Sequence, residues 1–425
     1  MGDQQQRTHM PQKLIDQTTI QPDGRPGDDA FTAFATCNEN FQDAEQRLTA
    51  LGVRIDQEAT DRGKHVAAES AIREAADAAL SARIPGKNIV INGDFRFWQR
   101  GTSFVGMTNV AYTADRFIPV MVGDTIDCIR AEHQLGDPTN LFNARYFMRC
   151  SVGQVAGNGS LATLQYRIEN GVRLLAGKTV TVSMLVRASS ATKIGMEFEM
   201  TFGTGGSPSA SIVGNSQLVT GITGGWQRIS RTFTLAGIAG KTFGTTTEGY
   251  LSLILWLDAG SNWDARAAGV GRQSGDFQFS NIQIEVGSVA TDFEQRPDAL
   301  ELALCQRYYR KSFPTAVVPA NNSNYCLHRP ATAYNSQGLR TSVEFGTTMR
   351  VAPAVTFYGG SEGGNLTPAS SWRWYDSAGG AWRAATAMQV VGVFQNGFIV
   401  DSVTTGHAVA ATYVVAGEYT ADAEL

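Results

Sequence analysis

Residues 179–200 read TVTVSMLVRASSATKIGMEFEM, and they carry the clearest fold signal in the chain. Apolar side chains occupy every second position from 180 to 186 and again from 194 to 200. A period of two is typical of strands that bury one face. Residues 282–286 repeat this pattern, and the continuous apolar run LSLILWL at residues 251–257 suits a central strand. Because such strands follow one another without helical connectors, residues 86–297 are predicted to form a β-sandwich, most simply a jelly roll.

The chain beyond residue 297 divides into two parts. Residues 298–311 include the apolar-rich run ALELALCQRYY, which predicts a short connecting helix. Residues 312–425 contain further strand-like runs, with Gly-Gly turn signals at 359–360 and 363–364. We therefore expect a second β-rich domain at the C-terminal tip, and the fold class as a whole is mainly β.

The N-terminal part differs in composition and in the spacing of its apolar residues. Residues 1–28 are polar and lack apolar periodicity, which predicts an extended segment that becomes ordered on a partner. Residues 34–55 have apolar side chains at alternating spacings of three and four, and an Ala-rich continuation with a weaker register follows Ile55. Residues 29–85 are therefore predicted to form a coiled-coil helix in a parallel homotrimer or dimer. The alternative is a pair of shorter helices, broken near Gly52 or Gly63 and packed on the same chain. The residues predicted to mediate oligomerisation are Phe34, Phe41, Leu48, Leu51, Ile55 and Ile72.

Composition excludes several classes of protein. The chain has 35 Lys and Arg against 39 Asp and Glu, which argues against a general nucleic-acid binder. Its charged fraction of 17% is low for a mostly helical protein. No run of about 18 apolar residues is present, so membrane insertion is not expected. The opening residues also lack the apolar core of a signal peptide.

The residues that commonly carry chemistry are scattered. The five cysteines and five histidines form no metal-binding spacing, so no metal and no cofactor is predicted, and the cysteines are expected to be buried free thiols. A calcium ion near Asn92, Asp94 and Asp276 is a weaker alternative. No nucleophile elbow or phosphate-binding loop is present. The acids that could in principle pair for glycan cleavage are Asp115, Asp124 and Asp127, or Asp258 and Asp264 beside Trp256 and Trp263. The alternative is that they are solvated loop acids.

Aromatic residues cluster near the C-terminus, in the run SSWRWYDSAGGAW at residues 370–382. Flat rings beside charged groups suit stacking on sugars, and the flanking Gly and Ser residues favour a loop or hairpin. The opposing interpretation places these rings in the core of a small domain or on a threefold axis. The residues predicted to bind a glycan are Trp372, Arg373, Trp374, Tyr375, Asp376 and Trp382, with Trp263 in the sandwich as a separate candidate.

Several segments of the chain resemble proteins of one class. Residues 29–41 look like the attachment helix near the N-termini of tailed-phage fibre proteins. The segments NIVINGDFRFWQRGTSF (88–104) and FSNIQIEVGSVATDFEQRP (279–297) are similar to the opening and the end of a phage tail-fibre jelly roll. TMRVAPAVTFY (348–358) and YTADAEL (419–425) resemble the terminal domain of such fibres.

The resemblance implies a bacteriophage tail fibre or receptor-binding protein with a jelly roll like that of carbohydrate-binding modules. Such a protein is a homotrimer in the virion that docks to a tail or baseplate protein, here through residues 1–41. Its C-terminal β domains bind a host-surface glycan or outer-membrane component. It has no catalytic residues, so the resemblance implies a protein that is not an enzyme. A connector fibre without a ligand is the first alternative, and a glycan depolymerase is the second.

Overall fold

A computed structural model describes residues 13–20, 22–82, 86–108, 110–137, 140–155, 157–189, 192–247, 249–404 and 407–425, and the chain divides into two compact units, Met1–Leu80 and Ser81–Leu425. The first unit is dominated by helix α1 (Ala30–Ala82). At 1.5 Å per residue, its 53 residues extend about 80 Å. The helix runs unbroken through Gly52 and Gly63, so the alternative of two shorter helices is wrong. Among the described residues, no helix combines the length and apolar character needed to cross a membrane.

Residues 13–28 form a compact turn-rich segment at the start of α1. Main-chain hydrogen bonds run from Gly27 N to Thr19 O and from Asp28 N to Asp16 O. The Asp16 carboxylate accepts the main-chain N–H groups of Thr18 and Thr19, which closes the turn. Gly27 has φ +87°, and a Cβ there would lie 2.9 Å from Asp16 O, so the close approach requires glycine. The prediction of an extended segment is therefore wrong for residues 13–20 and 22–28, and residues 1–12 and 21 lie outside the described part.

The predicted sandwich is confirmed as two antiparallel sheets that face each other. In the described chain the first sheet has the order β1 (Ser103–Met107), β3 (Thr125–Glu132), β4 (Tyr146–Gly153), β11 (Gly275–Val286), β6 (Thr179–Ala188) and β9 (Gln227–Thr234). The second has the order β2 (Phe117–Val122), β5 (Leu161–Glu169), β10 (Tyr250–Ala259), β7 (Thr192–Met200) and β8 (Gln217–Ile222). The short helix α2 (Gly171–Leu175) follows β5. The alternating apolar residues of β6 and β7 form the core between the sheets, as their period predicts.

Beyond the sandwich, helix α3 (Asp298–Gln306) precedes a sheet built around the long strand β20 (Thr412–Asp422). In the described chain its order is β17 (Ala381–Ala384), β16 (Arg373–Asp376), β20, β13 (His328–Asn335), β14 (Gly338–Glu344), β19 (Gly397–Val403) and β18 (Ala387–Phe394). Strands β12 (Tyr309–Lys311) and β15 (Ala354–Gly359) also pair with β20. The connecting helix was predicted over 298–311, but Tyr309–Lys311 is a strand because it pairs with residues 420–422.

The sandwich and the C-terminal sheet form one compact unit rather than a sandwich with a separate tip. Arg116, whose side chain is 1% exposed, pairs with Glu424, whose side chain is 5% exposed. Arg100 lies 3.0 Å from Asp422 and 3.4 Å from Glu424. Because buried charges must be paired, these ion pairs require the last residues of the chain to stay docked on the sandwich.

Candidate functional site

The structure places much of the predicted aromatic site in the core. Trp372 is fully buried, with its ring 5.6 Å from Phe357 in an edge-on arrangement. Its Nε1 donates a hydrogen bond of 3.0 Å to the Glu418 carbonyl. Trp374 is 6% exposed and contacts the His407 ring at 4.5 Å. The two rings share one strand face, as an extended chain requires, but that face points inward. Trp372 and Trp374 therefore cannot stack on a ligand, and the interpretation as core aromatics holds for both.

Arg373 is also unavailable to a ligand, although its side chain alternates with those of the two tryptophans. Its guanidinium is fully buried and donates to the Ser371 and Leu366 carbonyls at 2.9 and 3.1 Å. These bonds replace water around the charge and hold the preceding loop. The prediction of a ligand-binding role for Arg373 is wrong because its side chain is fully buried and its Nη groups bond to the carbonyls of its own loop.

Tyr375 and Trp382 form the exposed part of the cluster. They lie directly opposite each other in the β16–β17 hairpin, with ring centroids 5.4 Å apart at 62°. Tyr375 is 38% exposed and Trp382 is half-buried. Strand alternation puts them on the face opposite Trp374, so their rings are the part of the predicted site that a ligand can reach.

Beside Trp382 lies His328, which the sequence did not single out as a site residue, and Glu362 in turn contacts His328. The His328 ring lies 5.2 Å from the Trp382 ring, and its Nε2 is 3.2 Å from Glu362 Oε1. Burial alone would raise the pKa of Glu362, but hydrogen bonds from the Cys326 thiol and His328 hold it below its usual value. Glu362 therefore stays ionised and fixes the imidazole beside the indole. These residues come from separate strands and loops, so only tertiary pairing brings them to Trp382.

Asp376 stabilises the turn of the β16–β17 hairpin. Its carboxylate accepts the main-chain N–H groups of Ala378 and Gly379 at 3.2 and 3.0 Å and lies 2.7 Å from Arg383 Nε. The Gly379 N–H and the Arg383 charge lower the pKa of Asp376. Its hydrogen bonds with Ala378 and Gly379 show that Asp376 stabilises the turn. Strand alternation places its side chain on the hairpin face opposite Tyr375. A ligand contact from Asp376 stays a prediction.

A shallow groove of about 620 Å³ lies further along the same sheet. One of its polar groups is Arg340, whose Nε and Nη2 lie 2.7 and 2.9 Å from the two Asp401 oxygens. The guanidinium also sits 4.5 Å from the centre of the Tyr334 ring. A bidentate pair and an aromatic face together hold Arg340 in one orientation. The remaining N–H donors of this pre-oriented side chain are directed away from Asp401.

Strand β13 connects the groove to the aromatic pair. Its alternate residues His328, Pro330, Thr332 and Tyr334 are all exposed. At about 3.4 Å per residue, this row is about 20 Å long. It begins beside Trp382 and ends beside Arg340, which pairs with Thr332 across β13 and β14. We call the surface formed by Tyr375, Trp382, these four residues and Arg340 the outer strip.

Trp263 belongs to a different surface, in the loop that covers the outer face of the second sandwich sheet. Its ring contacts Trp256 at 5.8 Å, and its Nε1 donates to the Gly159 carbonyl at 2.9 Å. Arg266 anchors the loop through Glu197 and Glu199 at 3.0 and 2.9 Å. The indole is half-buried with its N–H already paired, so any ligand role of Trp263 stays a prediction.

The structure brings together Asp124 and Asp258, which come from different groups of the candidate acids. Both side chains are fully buried, and Arg272 bridges them at 2.9 and 3.0 Å. Burial, and then the hydrogen bond with Asp124, raises the pKa of Asp258 to about 7. A glycan-cleaving pair must reach its substrate. The burial of these two carboxyls favours a structural role for them.

The residues suggested for calcium have protein partners of their own. The Asn92 amide donates to the Phe97 and Asp115 carbonyls at 2.8 and 3.1 Å. Asp94 pairs with Arg96, and Asp276 accepts a hydrogen bond from a serine hydroxyl. Across the described residues, no three His, Cys, Asp or Glu side chains converge as metal ligands.

Helix α1 presents an uncovered apolar stripe. Its exposed fractions are 75% for Phe34, 73% for Phe41, 69% for Leu48, 51% for Leu51, 57% for Ile55 and 69% for Ile72. Surface ion pairs at i, i+4 accompany the stripe, such as Arg62–Glu58 at 3.0 Å. Apolar side chains at this spacing suit helix–helix packing, and oligomerisation through them stays a prediction.

Comparisons with known proteins give distant structural likenesses. No protein-family model matches the chain. No curated protein matches it. The enzymatically active domain of bacteriophage CBA120 tailspike protein 4 aligns at TM-score 0.26 and 12% identity, over 48% of this chain and 22% of that one. A family 11 carbohydrate-binding module from Clostridium thermocellum, solved with a mixed-linked tetrasaccharide, aligns at TM-score 0.26 and 12% identity, over 45% and 97%. The CBM22-1 xylan-binding domain of Paenibacillus barcinonensis Xyn10C aligns at TM-score 0.26 and 10% identity, over 48% and 97%. Scores this low assign neither a ligand nor a family to the chain.

Proposed function

We propose that this chain is a tail-fibre or receptor-binding subunit of a phage virion, and that it binds a host-surface glycan through the outer strip. The observation that carries the glycan assignment is the aromatic pair of exposed Tyr375 and half-buried Trp382 at one end of a polar row along β13. The virion assignment rests on the sequence resemblance of residues 29–41, 88–104 and 279–297 to fibre proteins.

The outer strip has the two kinds of group that sugar binding needs. The Trp382 and Tyr375 rings offer apolar faces to the C–H surfaces of a pyranose. His328, Thr332 and Arg340 offer donors and acceptors to hydroxyl groups, and Glu362 and Asp401 hold two of these side chains in place. Pre-orientation lowers the entropic cost of binding. A strip about 20 Å long suits an extended oligosaccharide better than a single sugar.

In this proposal helix α1 mediates oligomerisation. Its apolar stripe is covered by the same stripe of two further copies in a parallel trimer. Three outer strips then bind one surface together, and this avidity compensates for a weak individual site. Residues 1–41 dock the trimer to a tail or baseplate protein, so the protein acts in the virion after synthesis in the host cytoplasm. In this proposal the protein binds and does not cleave, and the burial of the Asp124–Asp258 pair supports this assignment.

The test is binding of the purified full-length chain to an array of defined bacterial surface oligosaccharides. The wild type is compared with Trp382→Ala and with Phe394→Ala, a matched change of a 53% exposed ring on β18. We expect Trp382→Ala to weaken binding at least tenfold and Phe394→Ala to leave it unchanged.

Equal binding by all three proteins refutes the outer strip as the glycan site. Absence of binding by the wild type favours a connector fibre without a ligand. Release of reducing ends from a bound polymer favours a depolymerase and refutes the non-enzymatic assignment. Sedimentation of the wild type at three times the mass of one chain is the expected result for the shaft, and a monomer at micromolar concentration contradicts it.

A further inference from the structure

We infer that Cys128 and Cys150 form an intrachain disulfide when the protein meets an oxidising thiol–disulfide environment. The two residues are direct cross-strand partners in β3 and β4. Their Sγ atoms lie 3.7 Å apart, and both side chains are fully buried. The site is a cross-link in the first sheet of the sandwich, and it is independent of the proposed function.

Strand geometry already places the main chain correctly for this bond. Directly opposed residues of an antiparallel pair have Cα atoms about 4.5 or 5.5 Å apart. Disulfides form across Cα separations of about 4.4–6.8 Å. Both cross-strand distances fall in that window, so the sulfurs can move from contact to bonding distance by side-chain rotation. The pairing continues without a shift on both sides, at Ile126–Val152 and Arg130–Met148. The strands therefore hold the two thiols in register.

The other cysteines lie in different elements of the described chain. Cys305 is buried in α3, Cys37 is on α1, and Cys326 is half-buried beside Glu362. In the reduced state described by the structure, the prediction of buried free thiols holds for Cys128, Cys150 and Cys305. It is wrong for Cys37 and Cys326, because both are partly exposed. Cys128 and Cys150 differ from all three in facing each other across one ladder.

The chemistry balances with a small disulfide as oxidant, for example oxidised glutathione. One cysteine thiolate attacks the glutathione disulfide, which gives a mixed disulfide and one reduced glutathione. The second cysteine then attacks the protein sulfur of the mixed disulfide and releases the second glutathione. The protein loses two hydrogens in total, and two glutathione thiols are produced. Because the Cys128 hydrogen bond and burial raise the pKa of Cys150, thiolate is scarce in the folded state, and the reaction is slow there.

The bond would join the β1–β3 edge of the first sheet covalently to its centre, through β4. It closes a loop of about 20 residues, a size at which a disulfide restricts the unfolded chain appreciably. We therefore expect oxidation to raise the melting temperature of the sandwich by roughly 5–10 °C.

The test uses the full chain, refolded from urea and separately incubated folded, in a buffer of oxidised and reduced glutathione. After alkylation in denaturant, tryptic digestion without reductant should yield peptide 117–130 linked to peptide 150–167. Intact mass should fall by about 2 Da, and reductant should restore both peptides and the lower melting temperature. Cys128→Ala should lose the linked peptide and the thermal shift, while Cys305→Ala, a matched buried thiol, should keep both.

Recovery of peptides 117–130 and 150–167 separately alkylated after the refolding arm overturns the inference. Linkage of Cys150 to another cysteine, or to glutathione as the end product, overturns it as well. Peptide mapping of the wild type decides the matter even if Cys128→Ala does not fold.

Discussion

Replacing Trp372 with Ala is expected to unfold the C-terminal sheet rather than to remove a ligand contact. The indole is fully buried against Phe357 and donates to the Glu418 carbonyl. Truncating a buried tryptophan costs about 3–5 kcal/mol through lost transfer free energy and the cavity left behind. The orphaned carbonyl adds about 1 kcal/mol. The total of about 4–6 kcal/mol is close to the whole stability of a typical domain.

A substitution on the neighbouring strand tests the same contact from the other side. A Cβ built on Gly417 overlaps the Trp372 ring, so Gly417→Ala forces the indole to move. Overpacking of this kind costs about 1–3 kcal/mol. In the Trp372→Ala background the new methyl group occupies vacated space, and the cost should shrink. The double-mutant cycle should therefore show a coupling of at least about 1 kcal/mol.

Amide hydrogen exchange along β20, read by mass spectrometry, measures the opening free energy of this sheet separately from that of the sandwich. Trp382→Ala is the matched control, because it removes the same side chain from the outer strip, and it should change β20 protection by less than about 1 kcal/mol. Unchanged β20 protection in Trp372→Ala, or strict additivity with Gly417→Ala, refutes the assignment of Trp372 to the core.

Three further predictions follow from other contacts. Glu424→Gln leaves the buried Arg116 charge uncompensated, so it should lower the free energy of unfolding by about 3–5 kcal/mol. In calorimetry the single unfolding transition of the wild type should become two, and one transition at the wild-type temperature contradicts this prediction. Because the pKa of Asp258 is about 7 in the folded state and near 3.9 in the unfolded chain, this carboxyl makes stability fall as pH rises from about 4 to 7. Asp258→Asn should remove this contribution to the dependence of the free energy of unfolding on pH, measured by urea unfolding between about pH 4 and 7. If the variant keeps the pH dependence of the wild type, the raised pKa of Asp258 is wrong. Leu51→Glu puts a charge in the middle of the α1 stripe and should reduce the oligomer to monomers in sedimentation at micromolar concentration, whereas an unchanged mass removes Leu51 from the interface.

Local patterns predicted the elements well where one periodicity dominates. The alternation at residues 180–186 and 194–200 became β6 and β7, with their apolar side chains in the core. The helix predicted over 29–85 spans Ala30–Ala82, since no proline interrupts it. The turn-rich residues 13–28 were predicted as extended because their polar side chains show no period, yet the Asp16 carboxylate organises them through main-chain bonds.

The candidate site shows what periodicity leaves open. If residues 372–374 are extended, the Trp372 and Trp374 rings share one face of the strand. Because large aromatic side chains lie on both faces of β16, this pattern does not say which face is buried. The inward face is chosen by contacts with Phe357, His407 and Glu418, and those residues are distant in sequence. Of the cluster's rings, Tyr375 therefore remains exposed and Trp382 half-buried, whereas Trp372 and Trp374 are buried.

The sequence by itself determined the strand and helix periods and the apolar stripe of α1, because these depend on neighbours within a few residues. The tertiary structure alone decided the docking of the C-terminal residues on Arg100 and Arg116, the encounter of Trp382 with His328, and the facing thiols of Cys128 and Cys150. Each of these depends on the register between strands that are far apart in the chain. Register is set by burying one whole sheet face at once, so no local window of sequence contains it.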